Sequence, residues 1–148
     1  MITSIKGGVT AAKGFSASGV HCGIRKNRTK RDIALIFSET KAAAAAVYTT
    51  NLVKGAPLTV TKNHIADGFT QAIICNSGNA NTCNADGIEV AEKMAEMTAE
   101  ALGIAANDVV VASTGVIGQP LNLEPIVNGI PALVSALSKD GGDAAVQA

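Results

Sequence analysis

Aromatic side chains are scarce in this chain: three Phe, one Tyr and no Trp among 148 residues. That scarcity removes the stacking platforms on which single-stranded nucleic-acid binders depend. Neither charge is in excess, since Lys+Arg and Asp+Glu number 12 each, and no global field draws the chain to nucleic acid or an anionic membrane. Although 47% of the residues are hydrophobic, no stretch approaches the ~18 uninterrupted apolar residues of a membrane span. The N-terminal MITSIKGGVTAAKGF lacks the apolar core of a signal peptide. Cys22, Cys75 and Cys83 are odd in number and without CxxC spacing, which excludes a disulfide framework and favours a reducing compartment. His21 and His64 are the only histidines. In a strand His21 and Cys22 would point to opposite faces, so the spacing of a metal site is poorly met. These absences leave a cytoplasmic protein of one domain spanning residues 1–148, large enough to bury about two thirds of its unfolded surface.

The most informative stretch that is present is Asp108–Leu121, DVVVASTGVIGQPL. Val109 to Ala112 read as an interior strand, a β-branched apolar run bounded by turn formers. It runs into Ser113-Thr114-Gly115. Glycines at 115 and 118 permit φ > 0 and close approach of the backbone. The Thr114 hydroxyl beside the Gly115 N–H puts two donors at the end of a rigid strand. Acyl transfer needs such donors, because its tetrahedral intermediate carries negative charge on one oxygen, and each is worth roughly 2.7–4 kcal/mol when aimed in a dry site. Alone, Ser-Thr-Gly also reads as ordinary loop punctuation. Asn76-Ser77-Gly78-Asn79-Ala80-Asn81 has the same two readings. It is a self-bonded turn, or a loop whose asparagine amides contact substrate or brace the Ser-Thr-Gly segment.

Elsewhere the pattern predicts a hairpin of strands Val20–Ile24 and Asp32–Ser38. Its tip, residues 25–31, has five basic residues in seven and reads as a solvated turn rather than a phosphate contact. The alanine run Ala42–Ala46 favours helix by propensity, but Val47-Tyr48-Thr49-Thr50 pulls it toward strand. Short strands are expected at Ala56–Thr61 and Phe69–Cys75. Asp86–Leu102 predicts a helix with Ile88, Ala91, Met94, Ala95, Thr98, Ala101 and Leu102 on its apolar face. Glu89 and Lys93 would pair across one turn, and Gly103 would stop the helix. A second helix starts near Asn122, is interrupted by Pro131 and ends at Gly141-Gly142. Strands first, then strand–helix–strand–helix, argue a layered α/β or α+β domain.

Five segments together carry a family resemblance: GFSASGVHCGIR (14–25), the Asp32–Ile36 strand, Val47-Tyr48-Thr49-Thr50-Asn51, NSGNAN and VASTGVIG. In that order and spacing, over residues 8–148, the chain resembles the ornithine acetyltransferase family, also called glutamate N-acetyltransferase. The resemblance implies stacked sheets flanked by helices, as in a group of self-processing aminopeptidases. It implies acetyl transfer from N-acetylornithine to glutamate in arginine biosynthesis, with acetyl-CoA as a possible second donor and no bound cofactor or metal. Family precursors cut themselves into α and β chains, and the new N-terminal threonine of the β chain is the nucleophile, its own amine serving as base. They assemble as α₂β₂. By resemblance, Thr114 and Gly115 form the oxyanion hole, through the threonine hydroxyl and the glycine N–H. The substrate-binding Thr-Thr-Asp segment, a substrate-contacting lysine and the nucleophile are not among these 148 residues. The chain is therefore expected to be an N-terminal part of the α chain and to show no acetyl exchange alone. A self-processing hydrolase and a non-catalytic fragment are the rival readings.

Overall fold

The structure, a computed structural model, describes residues 2–4 and 7–148. Its centre is a four-stranded sheet in the order β1 (Phe15–Val20), β2 (Ile33–Ala43), β3 (Phe69–Asn76), β4 (Val109–Ser113). β1 and β3 pair antiparallel with β2, whereas β3 and β4 run parallel, with Asn76 opposite Ser113. Strand alternation sorts the side chains. Ile33, Leu35, Ala72, Ile74, Val109 and Val111 are buried on one face, under three helices: α1 (Ala56–His64), α2 (Gly87–Leu102) and α3 (Glu124–Ser135). On the other face Ile36, Ile73, Cys75 and Val110 are half-buried. The short α4 (Gly142–Val146) packs against β1 and β2.

Two predicted strands take another form. Residues 56–61 are the first turns of α1, not a strand. The β-branched Thr59, Val60 and Thr61 suggest a pleated surface, but Pro57, Val60, Thr61 and His64 are the buried set, and that is the i, i+3, i+4, i+7 spacing of a helix. Pro57 also sits in the first turn, where its missing N–H costs nothing. The helix closes the free edge of β4. Thr61 Oγ1 donates to the Val111 carbonyl at 2.9 Å and accepts the Val111 N–H at 3.2 Å. His64 Nδ1 lies 2.8 Å from the Val109 carbonyl oxygen, and its Nε2 lies 3.0 Å from Glu92 of α2. An edge strand is thus satisfied by side chains rather than by a fifth strand.

The first strand is β1, Phe15–Val20, not Val20–Ile24. Beyond Val20 the chain curls, because the buried carboxylate of Asp32 gathers the N–H groups of Cys22, Gly23 and Arg25 at 2.6, 3.1 and 2.9 Å. Residues 26–30 are exposed, as a solvated tip should be. β2 reaches only Ala43. After Ala44, whose N–H meets the Gly68 carbonyl at 2.8 Å, the neighbouring strand has turned away, and residues 44–50 run on as neither helix nor ladder.

The predicted helices hold, with shifted details. α2 ends at Gly103, left-handed at φ 69°, and Lys93 Nζ meets Glu89 at 2.7 Å. Its buried face is turned by one position: Val90 and Ala99 are inside, whereas Ile88 is 53% exposed. Helix α3 begins after Asn122, whose Oδ1 accepts the Glu124 N–H at 3.1 Å, and it accommodates Pro131. It stops at Ser135, and Gly141-Gly142 open α4 rather than close α3. The cause is a backbone exchange with β1, in which Ala17 and Ser138 trade N–H and carbonyl at 2.9 and 3.0 Å.

Candidate functional site

The sheet delivers two loops to one place. β3 and β4 are parallel neighbours, so their carboxyl ends open side by side, the position where α/β sheets collect ligand-facing groups. Loop 76–84 leaves β3 and loop 114–120 leaves β4. Residues 114–120 are all exposed, but their backbone is not loose. The Thr114 N–H donates to the Asn76 carbonyl (3.0 Å), Val116 N–H to Gly78 (3.3 Å), Ala80 N–H to Val116 (2.9 Å) and Gly118 N–H to Thr82 (2.9 Å). The two loops are knitted into a small irregular sheet.

Gly115 lies at the tightest point, with φ 132°. A Cβ there would stand 2.4 Å from the Gly78 carbonyl carbon and 2.6 Å from the Asn79 nitrogen. The glycine anticipated at this position is needed, and what it approaches is the backbone of the NSGNAN loop. Thr114 and Gly115 are therefore adjacent, exposed and held from behind. Among the hydrogen bonds of the described residues, none uses the Thr114 hydroxyl or the Gly115 N–H. The fold consumes neither donor, and both residues are exposed.

The asparagines mostly follow the self-bonded reading. Asn76 Nδ2 donates to the Asn79 carbonyl (2.9 Å), and Asn81 Nδ2 to Gly87 (2.7 Å). Asn79 differs, since its Nδ2 crosses to the carbonyls of Gln119 and Pro120 at 3.0 and 3.3 Å. Nothing in the local sequence singles out Asn79 from its neighbours, because its partners are main-chain carbonyls forty residues away. Asn76 Oδ1 and Ser113 Oγ are buried without a hydrogen-bond partner among the described residues. They are register partners, and unpaired polar atoms at the mouth of a loop pair are the kind that sites use.

A third layer supports the loops. Asp32, fully buried, organises residues 22–25 through its carboxylate and accepts the Ser77 N–H on its carbonyl at 2.9 Å. Burial opposes ionisation of Asp32, but the N–H groups of Cys22, Arg25 and Gly23 outweigh it and hold the carboxyl below its usual range. The same surroundings silence Cys22: burial and the adjacent Asp32 charge push its thiol up to about 12. Burial also raises Cys75. Neither is a ready thiolate nucleophile. No group of three His, Cys, Asp or Glu side chains converges as a metal site among the described residues, and no described helix is long and apolar enough to cross a membrane. Beside the loops, a cleft of about 190 Å³ runs between Gly23-Ile24, Gly78-Asn79 and Gln119–Asn122. It is smaller than the roughly 300–1,000 Å³ of a small-molecule pocket.

The class that the architecture defines is a mixed α/β layer with two loops leaving the ends of parallel strands side by side. The comparisons name the group. The model of the ArgJ family matches residues 16–148, and the chain belongs to that family. It is 51% identical over 146 residues to the arginine biosynthesis bifunctional protein ArgJ of Gloeobacter violaceus, covering 97% of this chain and 36% of that protein. Its structure superposes on the crystal structure of the arginine biosynthesis bifunctional protein ArgJ of Bacillus halodurans with a TM-score of 0.87 and 42% identity, covering 95% of this chain and 74% of that one. For the ornithine acetyltransferase of Mycobacterium tuberculosis, solved in complex with ornithine, the TM-score is 0.90 and the identity 38%, covering 95% and 77%. Resemblance implies stacked sheets flanked by helices; the mixed α/β arrangement with sheet flanked by helices is the fold of these proteins, and the described residues contribute one four-stranded sheet to it. The chain spans about a third of the length of the curated relatives it matches.

Proposed function

We propose that this chain supplies the oxyanion hole of an acetyltransferase that moves acetyl from N-acetylornithine to glutamate in arginine biosynthesis. Thr114 Oγ1–H and Gly115 N–H are the two donors. The observation that carries the reading is their placement at the carboxyl end of β4, exposed and unconsumed, on a loop held rigid from behind. Such donors accelerate a reaction only when they need no reorganisation as charge develops.

The chemistry is a double displacement. A threonine hydroxyl at the start of a separate β chain attacks the acetyl carbonyl carbon of N-acetylornithine. The C–N bond breaks, the proton passes to the departing amine, and ornithine leaves an acyl-threonine ester. The amine of glutamate then attacks the ester carbonyl, the C–O bond breaks and N-acetylglutamate departs with the hydroxyl restored. Both steps pass through a tetrahedral oxyanion that Thr114 and Gly115 would bind. Acetyl-CoA is a second possible donor to the same threonine. The β chain of the same precursor, arising by self-cleavage, is the partner in an α₂β₂ assembly in the cytoplasm, and this chain alone is inactive.

The test is a chimaera in which these residues replace the matching segment of the Gloeobacter violaceus ArgJ protein. It should exchange acetyl between N-acetylornithine and glutamate. Thr114→Ala in it should lower kcat by about 10²–10³ with KM little changed, as for loss of an oxyanion donor elsewhere. An unaltered kcat would remove Thr114 from the role, and turnover of a peptide amide instead of N-acetylornithine would make the protein a hydrolase.

A further inference from the structure

Two donors on an exposed loop do not aim themselves. Loop 114–120 is attached to loop 76–84 at its beginning by main-chain bonds, through Thr114, Val116 and Gly118. Its far end, Gln119-Pro120, is held by side chains: Asn84 Nδ2 reaches the Gln119 carbonyl at 2.9 Å, and Asn79 reaches both carbonyls. Asn79 is only 8% exposed, and its carboxamide is fully used. Oδ1 accepts the Asn81 N–H at 2.8 Å, which sets the curvature of its own loop. Nδ2 donates to the carbonyls of Gln119 and Pro120 at 3.0 and 3.3 Å. The Asn79 main chain lies against Gly115, and its carbonyl is fixed by Asn76 Nδ2 at 2.9 Å. One residue therefore touches the donor pair through its backbone and the end of the donor loop through its amide.

We propose that Asn79 is the positioning residue for the Thr114–Gly115 donor pair. The inference rests on reading that pair as the oxyanion hole, and it identifies what keeps the pair aimed. Asn79 acts through the loop and not on substrate, because every polar atom of its carboxamide already has an intramolecular partner. Only an amide serves here. It offers one acceptor to Asn81 and two hydrogens to two carbonyls, whereas a carboxylate would set negative charge against both carbonyl oxygens.

Two measurements test it. In the 148-residue chain, Asn79→Asp should speed amide hydrogen exchange at Thr114, Val116 and Gly118 at least tenfold, while Leu35 and Ile74 in the sheet exchange as before. In the chimaera, Asn79→Asp should lower kcat about 10–100-fold, the cost of a small misplacement of catalytic groups. KM for N-acetylornithine and for glutamate should stay within about twofold. A raised KM with kcat intact would make Asn79 a substrate contact, and exchange rates or kcat unchanged would overturn the proposal. If the parent chimaera shows no exchange of acetyl groups, the enzymatic reading fails, and hydrogen exchange in the chain still decides whether Asn79 holds the loop. Should Asn79→Asp fail to fold, Asn79→Ser gives an uncharged form that removes the amide bonds to the Gln119 and Pro120 carbonyls. It should speed exchange at Val116 and Gly118 and lower kcat in the same direction, and no change in either would overturn the proposal.

Discussion

Residues 76–84 and residues 44–55 are both irregular segments rich in turn-forming or small side chains, and they have opposite characters. In the first, Asn79 and Asn84 bond across to a loop 35–41 residues away, and Asn76, Asn79 and Asn81 are buried. In the second, the side-chain bonds span two residues only, Thr49 to Asn51 and Asn51 to Val53. Val47, Leu52 and Val53 are 99%, 95% and 61% exposed. A local bond shapes a turn but does not tell it where to sit. A bond that crosses between distant segments removes freedom from both at once, and so gives a loop the rigidity of the sheet behind it. The candidate site is built on the first kind.

Substitution at Gly115 should break that contrast most severely. Gly115→Ala meets the Gly78–Asn79 backbone at a φ that L residues avoid. It should cost about 2–3 kcal/mol from overpacking and backbone strain, read as a Tm lower by about 4–12 °C. In the chimaera it should also lower kcat by about 10³ or more by forcing the loops apart. A variant with native Tm and full kcat would show that the loops are not packed as described.

The next effect tests the layer beneath. Asp32→Asn weakens the bonds to the N–H groups of Cys22, Gly23 and Arg25 and should cost about 2 kcal/mol. It should also change the pH profile. The carboxyl is held below its ordinary value in the folded chain, so the stability it contributes is present above the unfolded pKa of about 4 and lost as pH falls through the lowered folded value. Chemical denaturation from pH 7 down to pH 2 should show this loss in the parent and a flatter acid limb in Asp32→Asn. Parallel profiles would remove the carboxylate from the account.

The smallest effect sharpens the comparison from the other side. Leu52→Ala, on the exposed segment, should change stability by less than about 0.5 kcal/mol in the isolated chain. A loss above about 2 kcal/mol in urea denaturation, the scale of burying a Leu side chain, would mean that the segment is packed in solution and that the contrast is false.

Much of the architecture was readable in advance. The strand at Val109–Ser113, the strand from Phe69, the helix from residue 87 with its stop at Gly103 and the Glu89–Lys93 pair all follow from periodicity and capping chemistry within a few residues. The glycine requirement at 115 was equally legible. The misreadings share a cause. Residues 56–61 carry β-branched side chains, but they cover the edge of β4 from a helix. The chain after Val20 looks strand-like, but Asp32 draws its N–H groups away. Propensity lost to tertiary partners in both places.

The order of residues fixes a local alphabet: which runs are apolar, where helices stop, and that a Thr-Gly pair follows a buried strand. These depend on side chains within one or two turns of each other. Tertiary structure alone decided that Thr61 would complete the edge of a strand 50 residues away, that Asp32 would anchor the loop beneath the site, and that Asn79 would hold Gln119 and Pro120. In each case one partner is a main-chain N–H or carbonyl. Every residue but proline carries both groups, so no residue type marks which will be chosen, and only packing brings the chosen one within reach.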